Sequence, residues 1–142
     1  MESVSIAKND EETFEEYEPE SAYLTRRILL IDDDENIRAI LSRLLKNMGY
    51  DVQVAEDGEK GIKLFDEMGD FDLVISDIQM PNMDGNEVAR YIRNSDKSGV
   101  PLIAITGFRT EVQPEMFDYT LIKPFSLKDF GLIVKSFELT PT

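Results

Sequence analysis

The chain has 142 residues, the size of one domain, and at 42% hydrophobic content it holds enough apolar material for a core. Its 29 acids against 15 bases leave a net charge of −14, which argues against nucleic acid as a direct partner. Zero cysteine and zero histidine exclude disulfides, thiolate or imidazole metal ligands, phosphohistidine on this chain and every Ser-His-Asp or Cys-His catalytic unit.

Residues 1–25 hold Glu2, Asp10, Glu11, Glu12, Glu15, Glu16, Glu18 and Glu20 against the single base Lys8, half of the net charge. Too little apolar surface is present to offset the entropy of ordering, so an acidic, disordered tail is expected. Phe14, Tyr17, Tyr23 and Leu24 would allow a partner-binding arm instead. This start does not resemble a signal peptide, and no apolar run approaches a membrane span; a cytoplasmic protein without membrane insertion is expected.

Arg27-Ile28-Leu29-Leu30-Ile31 reads as an apolar strand stopped by Asp32-Asp33-Asp34. Ile37, Ile40, Leu41, Leu44, Leu45 and Met48 follow at helical spacing, with Asp34 as N-cap and Gly49 as stop. Tyr50 to Ala55 alternates as a strand, and Asp57-Gly58 opens a second helix with Ile62, Phe65 and Met68 on one face. Phe71 to Ser76 is the apolar run of a central strand buried on both faces, ending at Asp77. After Gly85 a third helix carries Val88, Tyr91 and Ile92 and fades at Asn94. Pro101 to Thr106 and Thr120 to Lys123 complete the strands, and a last helix places Leu127, Phe130, Ile133, Val134 and Phe137 on one face.

This alternation predicts an α/β fold, a flavodoxin-like doubly wound five-stranded parallel sheet of order 2-1-3-4-5. Only residues 107–119 join the last two strands, and Pro114 interrupts them, so helix 4 in that crossover is expected to be shortened or absent. The same segment is expected to lack the hydrogen bonds that would hold one conformation.

In such a sheet Asp32, Asp33 and Asp77 converge at the crevice between strands 1 and 3, on the rim where ligands bind. Three crowded carboxylates repel unless a cation or proton intervenes, and their hard oxygens suit Mg²⁺. Thr106 and Lys123 end strands 4 and 5 on the same rim, a hydroxyl and an ammonium able to face phosphoryl oxygens. Phosphoryl transfer is the indicated chemistry.

The stretches Ile28 to Asp34, Val74 to Gly85 and Ile122-Lys123-Pro124-Phe125 resemble the receiver domains of two-component response regulators, over about residues 26–139. The resemblance implies that Asp77 accepts a phosphoryl group from a phosphohistidine on a sensor histidine kinase or a histidine phosphotransfer protein. It implies Mg²⁺ on Asp33, Asp77 and the backbone carbonyl of Gln79, with Asp32 acting through the metal's water. Thr106 and Lys123 would contact the phosphoryl group, and a cis Lys123-Pro124 bond would aim the lysine. The protein would phosphorylate itself, dephosphorylate slowly by hydrolysis, and switch contacts with a downstream protein in two-component signalling or a phosphorelay. It would not be a conventional turnover enzyme.

The position three before Lys123, usually aromatic in the family, is Thr120, with Tyr119 one place earlier. The expected organisation is tail 1–25, receiver domain 26–139 and terminal residues 140–142, without an effector domain. Two other readings compete: a receiver-like docking module that is never phosphorylated, and a haloacid-dehalogenase-type phosphatase. The second needs Asp-x-Asp-x-Thr/Val after strand 1, and Asp32-Asp33-Asp34-Glu35-Asn36 lacks the fifth position.

Overall fold

The computed structural model describes residues 25–138; the acidic segment 1–24 and residues 139–142 lie outside them, and so does the expected disorder of the tail. Nine regular elements follow the chain: β1 (Arg27–Ile31), α1 (Glu35–Asn47), β2 (Asp51–Ala55), α2 (Gly58–Met68), β3 (Leu73–Asp77), α3 (Gly85–Arg93), β4 (Leu102–Thr106), β5 (Tyr119–Ile122) and α4 (Leu127–Ser136). The strands form one parallel sheet in the order β2-β1-β3-β4-β5. Doubly wound topology follows from right-handed crossovers that place helices on both faces.

Every strand-to-helix turn uses a side-chain oxygen to satisfy the free N–H groups of the first helical turn. Asp34 accepts from the N–H groups of Asn36 (2.9 Å) and Ile37 (3.1 Å), as its position implied. Asp57 caps α2, Ser126 caps α4, and Asp84 and Glu87 form a reciprocal capping box on α3. At the far end of α1, Gly49 adopts φ +99°, the left-handed conformation that ends the helix without a Cβ clash.

The core has two layers, divided by the alternation of side chains along each strand. Ile28 and Leu30 of β1 face α1 and α4, packing with Leu41, Leu45, Phe130 and Val134. Leu29 and Ile31 face α2 and α3, packing with Phe65, Val88 and Ile92. Three residues read as inward-facing from spacing alone are instead exposed: Ile40, Tyr91 and Leu127. Ile40 lies at the margin of the α1 stripe, where Leu41 and Leu45 take the buried positions. Leu127 is the first residue of α4, and Phe130 is the first side chain of that helix to reach the core.

The β4–β5 crossover contains no α-helix, only two 3₁₀ turns at Arg109–Glu111 and Pro114–Met116. Its expected looseness is not what the structure shows. Val112 is buried with Ile78 and Ala104. The side-chain amide of Asn86 donates to the Glu111 carbonyl (2.7 Å), and its carbonyl oxygen accepts from the Gln113 N–H (2.9 Å). Arg90 donates to the Gln113 side chain (3.0 Å) and Arg93 to the Met116 carbonyl (3.0 Å). Bonds from α3 therefore add to the short-range bonds of the two 3₁₀ turns.

Candidate functional site

Three parallel strands end side by side and set the positions of the acids. β1 delivers Asp32 and Asp33, and β3, its hydrogen-bonded neighbour, delivers Asp77. One carboxylate oxygen from each of the three lies within 4.8 Å of the others. β4 ends in Thr106, and Lys123 follows β5 on the same rim, its N–H donating to the Thr106 carbonyl (2.8 Å). Lys123 Nζ stands 3.5 Å from Asp77 Oδ2, and the Lys123-Pro124 bond is cis. The structure brings Asp32, Asp33, Asp77 and Lys123 together. Thr106 joins the same rim with its hydroxyl turned elsewhere. Gln79 lies exposed in the loop after β3 and contributes to the lining of a shallow groove there.

Close packing fixes the β3 terminus. Gly85 opens α3 directly against it, and a Cβ at Gly85 would lie 2.3 Å from the Asp77 carbonyl oxygen. Ser76 Oγ donates to that same carbonyl (2.9 Å), and Gly85 N–H donates to the Ile78 carbonyl (2.9 Å). Arg38, reaching back from α1, donates to the Asp32 carbonyl (2.8 Å). Sequence reasoning missed Arg38, Ser76 and Asn86, whose contacts carry no periodic or motif signal.

Asp32 and Asp77 are buried among like charges. Burial is the main cause that raises the Asp32 carboxyl from 3.8 to about 6; the Asp34 N–H opposes it and the Asp77 charge adds to it. Asp77 is also raised, chiefly by burial, with the Lys123 ammonium opposing and the Asp33 charge adding. Asp32 Oδ1 accepts from the Asp34 N–H (2.9 Å). Asp32 Oδ2 and Asp77 Oδ1 are buried without a hydrogen-bond partner. Buried acceptors of this kind cost free energy unless something donates to or coordinates them. Two orphaned carboxylate oxygens inside an acidic triad fit a hard divalent cation.

Thr106 Oγ1 accepts from the Phe108 N–H (3.1 Å) and donates to the Phe108 carbonyl (3.3 Å). Tyr119 and Thr120 are successive residues of β5 and point to opposite faces of the sheet. Tyr119 therefore does not occupy the place of an aromatic at position 120.

No helix among the described residues is long and apolar enough to cross a membrane. Residues 28–135 match the response regulator receiver domain family. The regulatory protein AtoC of Escherichia coli is 35% identical over 116 residues, covering 77% of this chain and 24% of AtoC. The sensor kinase/phosphatase CqsS of Vibrio cholerae is 44% identical over 84 residues, covering 58% of this chain and 12% of CqsS. The chain thus spans less than half the length of these curated relatives. Among solved structures, the response regulator TrrA of Thermotoga maritima, in complex with Mg²⁺ and BeF, is 36% identical with a TM-score of 0.72, covering 80% of this chain and 99% of TrrA. The chemotaxis response regulator CheY4 of Vibrio cholerae is 26% identical with a TM-score of 0.74, covering 80% and 98%. With its sheet order, acidic rim and family match in agreement, the chain belongs to the response regulator receiver domains.

Proposed function

We propose that this domain is a Mg²⁺-dependent phosphoacceptor whose nucleophile is Asp77. The observation that carries the reading is the convergence of Asp32, Asp33 and Asp77, with Lys123 3.5 Å from the last of them. The Asp77 carboxylate attacks the phosphorus of a partner's phosphohistidine. The P–N bond breaks, and the imidazole keeps the electron pair and takes up a proton. Water later attacks the acyl phosphate, releasing inorganic phosphate and restoring the carboxylate. Asp77 needs no general base, since the ionised carboxylate is itself the nucleophile.

Asp32, Asp33, Asp77 and the Gln79 carbonyl would hold Mg²⁺, which when bound screens the two anions that must meet. Lys123 provides a point charge for a phosphoryl oxygen, and Thr106 a hydroxyl for another. Lys123 also borders an apolar groove formed by Ile37, Ile40, Pro124 and Phe125, a surface that a histidine-bearing partner helix would fit. The domain would act in the cytoplasm, with a sensor histidine kinase or histidine phosphotransfer protein upstream and a protein target downstream.

Incubation with a small phosphodonor and Mg²⁺ is expected to add one phosphoryl group, detected by mass. Asp77→Asn is expected to abolish the addition and Asp33→Ala to raise the Mg²⁺ concentration required. Unchanged labelling of Asp77→Asn would sink the assignment. A native chain that is never labelled would favour the docking-module reading.

A further inference from the structure

We propose that the acidic segment 10–24 of this chain docks on the α1–α4 face of its own domain. α1 and α4 carry five bases (Arg38, Arg43, Lys46, Lys128 and Lys135) against two acids, Glu35 and Asp129, in a chain of net charge −14. Arg38 is committed to the Asp32 carbonyl. The other four are exposed and form no ion pair among the described residues.

The cations frame apolar surface. Ile40 is 50% exposed, Leu127 47% and Leu132 57%. Ile40 and Leu127 line one open groove of about 540 Å³ that Arg43 also borders. Lys128, Leu132 and Lys135 lie at i, i+4 and i+7 along the exposed stripe of α4. An occupant should therefore combine negative charge with large apolar side chains. Segment 10–24 has that composition: seven acids, no base, and Phe14, Tyr17, Tyr23 and Leu24.

The tether makes the encounter intramolecular. Arg26 shares a small cavity with Phe137 and Glu138, so the chain enters β1 beside the last turn of α4. Tyr17 is eight residue steps from Thr25, which span up to about 26 Å when extended. The ten residues of α4 are about 15 Å long, so Tyr17 can reach its first turn. Such tethering supplies an effective concentration that compensates for weak individual contacts.

The absence of cysteine permits a single-site label in the full chain. A nitroxide on Tyr17→Cys is expected to broaden the methyl resonances of Ile40, Leu127 and Leu132 in the resting, unphosphorylated protein. The broadening should be lost at about 1 M NaCl, where the screening length is about 3 Å, and in the Arg43→Glu, Lys128→Glu double variant. Mixing nitroxide-labelled chains with isotope-labelled chains separates the sources. Broadening in the mixture alone would make the occupant a second copy and overturn the proposal. Absent broadening, broadening centred on α2 or α3, or broadening indifferent to salt and charge reversal would overturn it too. None of these readouts involves Asp77 chemistry, so the result stands apart from the phosphoacceptor assignment.

Discussion

Asp32 sits at a cost in free energy: its carboxyl is held at about 6 against an ordinary 3.8, and one oxygen has no hydrogen-bond partner. At about 1.4 kcal/mol per pKa unit, the ionised form is disfavoured by about 3 kcal/mol. The folded-state value is raised, so the stability lent by Asp32's proton is fully present below about pH 4. It is lost as pH rises through about 6. In chelator, Asp32→Asn is therefore predicted to be more stable than the parent by up to about 3 kcal/mol at pH 7–8. The difference should shrink between pH 6 and 4, where the parent carboxyl is protonated. Urea unfolding followed by circular dichroism at several pH values reads this directly, and a gap independent of pH would show that charge is not its origin. Mg²⁺ should reverse the order, because the ion stabilises the state that binds it and the parent offers the fuller set of charges.

At the scale of elements, the β4–β5 crossover shows what a sequence exposes and what it conceals. The five strands, the Asp34 cap of α1 and the acids at the strand ends were legible because burial imposes periods of 2 and 3.6, and turns and caps favour Asp and Gly. The loss of a crossover helix was legible too, from length and Pro114. The fixation of that segment was not. Asn86 lies 25 residues from Glu111 and 27 from Gln113, and a side chain bonding distant backbone leaves no periodic trace. Nor could spacing reveal which margin residues, such as Ile40 and Leu127, remain outside the core.

Arg93 extends the same clamp, donating to the carbonyls of Ser98 (2.6 Å), Val100 (2.7 Å) and Met116 (3.0 Å) and to Asp118 (3.1 Å). Asn86→Ala removes the partner of the Glu111 carbonyl and of the Gln113 N–H, two partly buried groups, at a predicted cost of about 0.5–1.5 kcal/mol. Amide exchange should accelerate at residues 111–117 and stay unchanged in β1 and β3. Uniform acceleration across the sheet would mean that Asn86 supports the core and not the crossover.

Over the whole molecule, the proposed phosphorylation raises the question of how a change at Asp77 would reach a surface that another protein can read. The aromatic of the family pattern is missing: position 120 is threonine, and Tyr119 faces the other side of β5. The Thr106 hydroxyl offers a different route. It holds the backbone of Phe108 through two hydrogen bonds, and Phe108 is a large, exposed side chain. A hydroxyl has one proton to donate. If Thr106 donates to a phosphoryl oxygen, its bond to the Phe108 carbonyl is lost and the turn at Gly107 keeps only the bond from the Phe108 N–H. Phe108 then becomes the mobile reporter, while Asn86 and Arg93 keep the remainder of the crossover in place. The chain contains no tryptophan, so Phe108→Trp supplies a single emission signal. Phosphorylation, verified by mass, is predicted to shift that emission. With Thr106→Val added, the resting emission should already differ and phosphorylation should leave it unmoved. An unshifted Trp signal in a phosphorylated protein would mean that the signal leaves the site by another path.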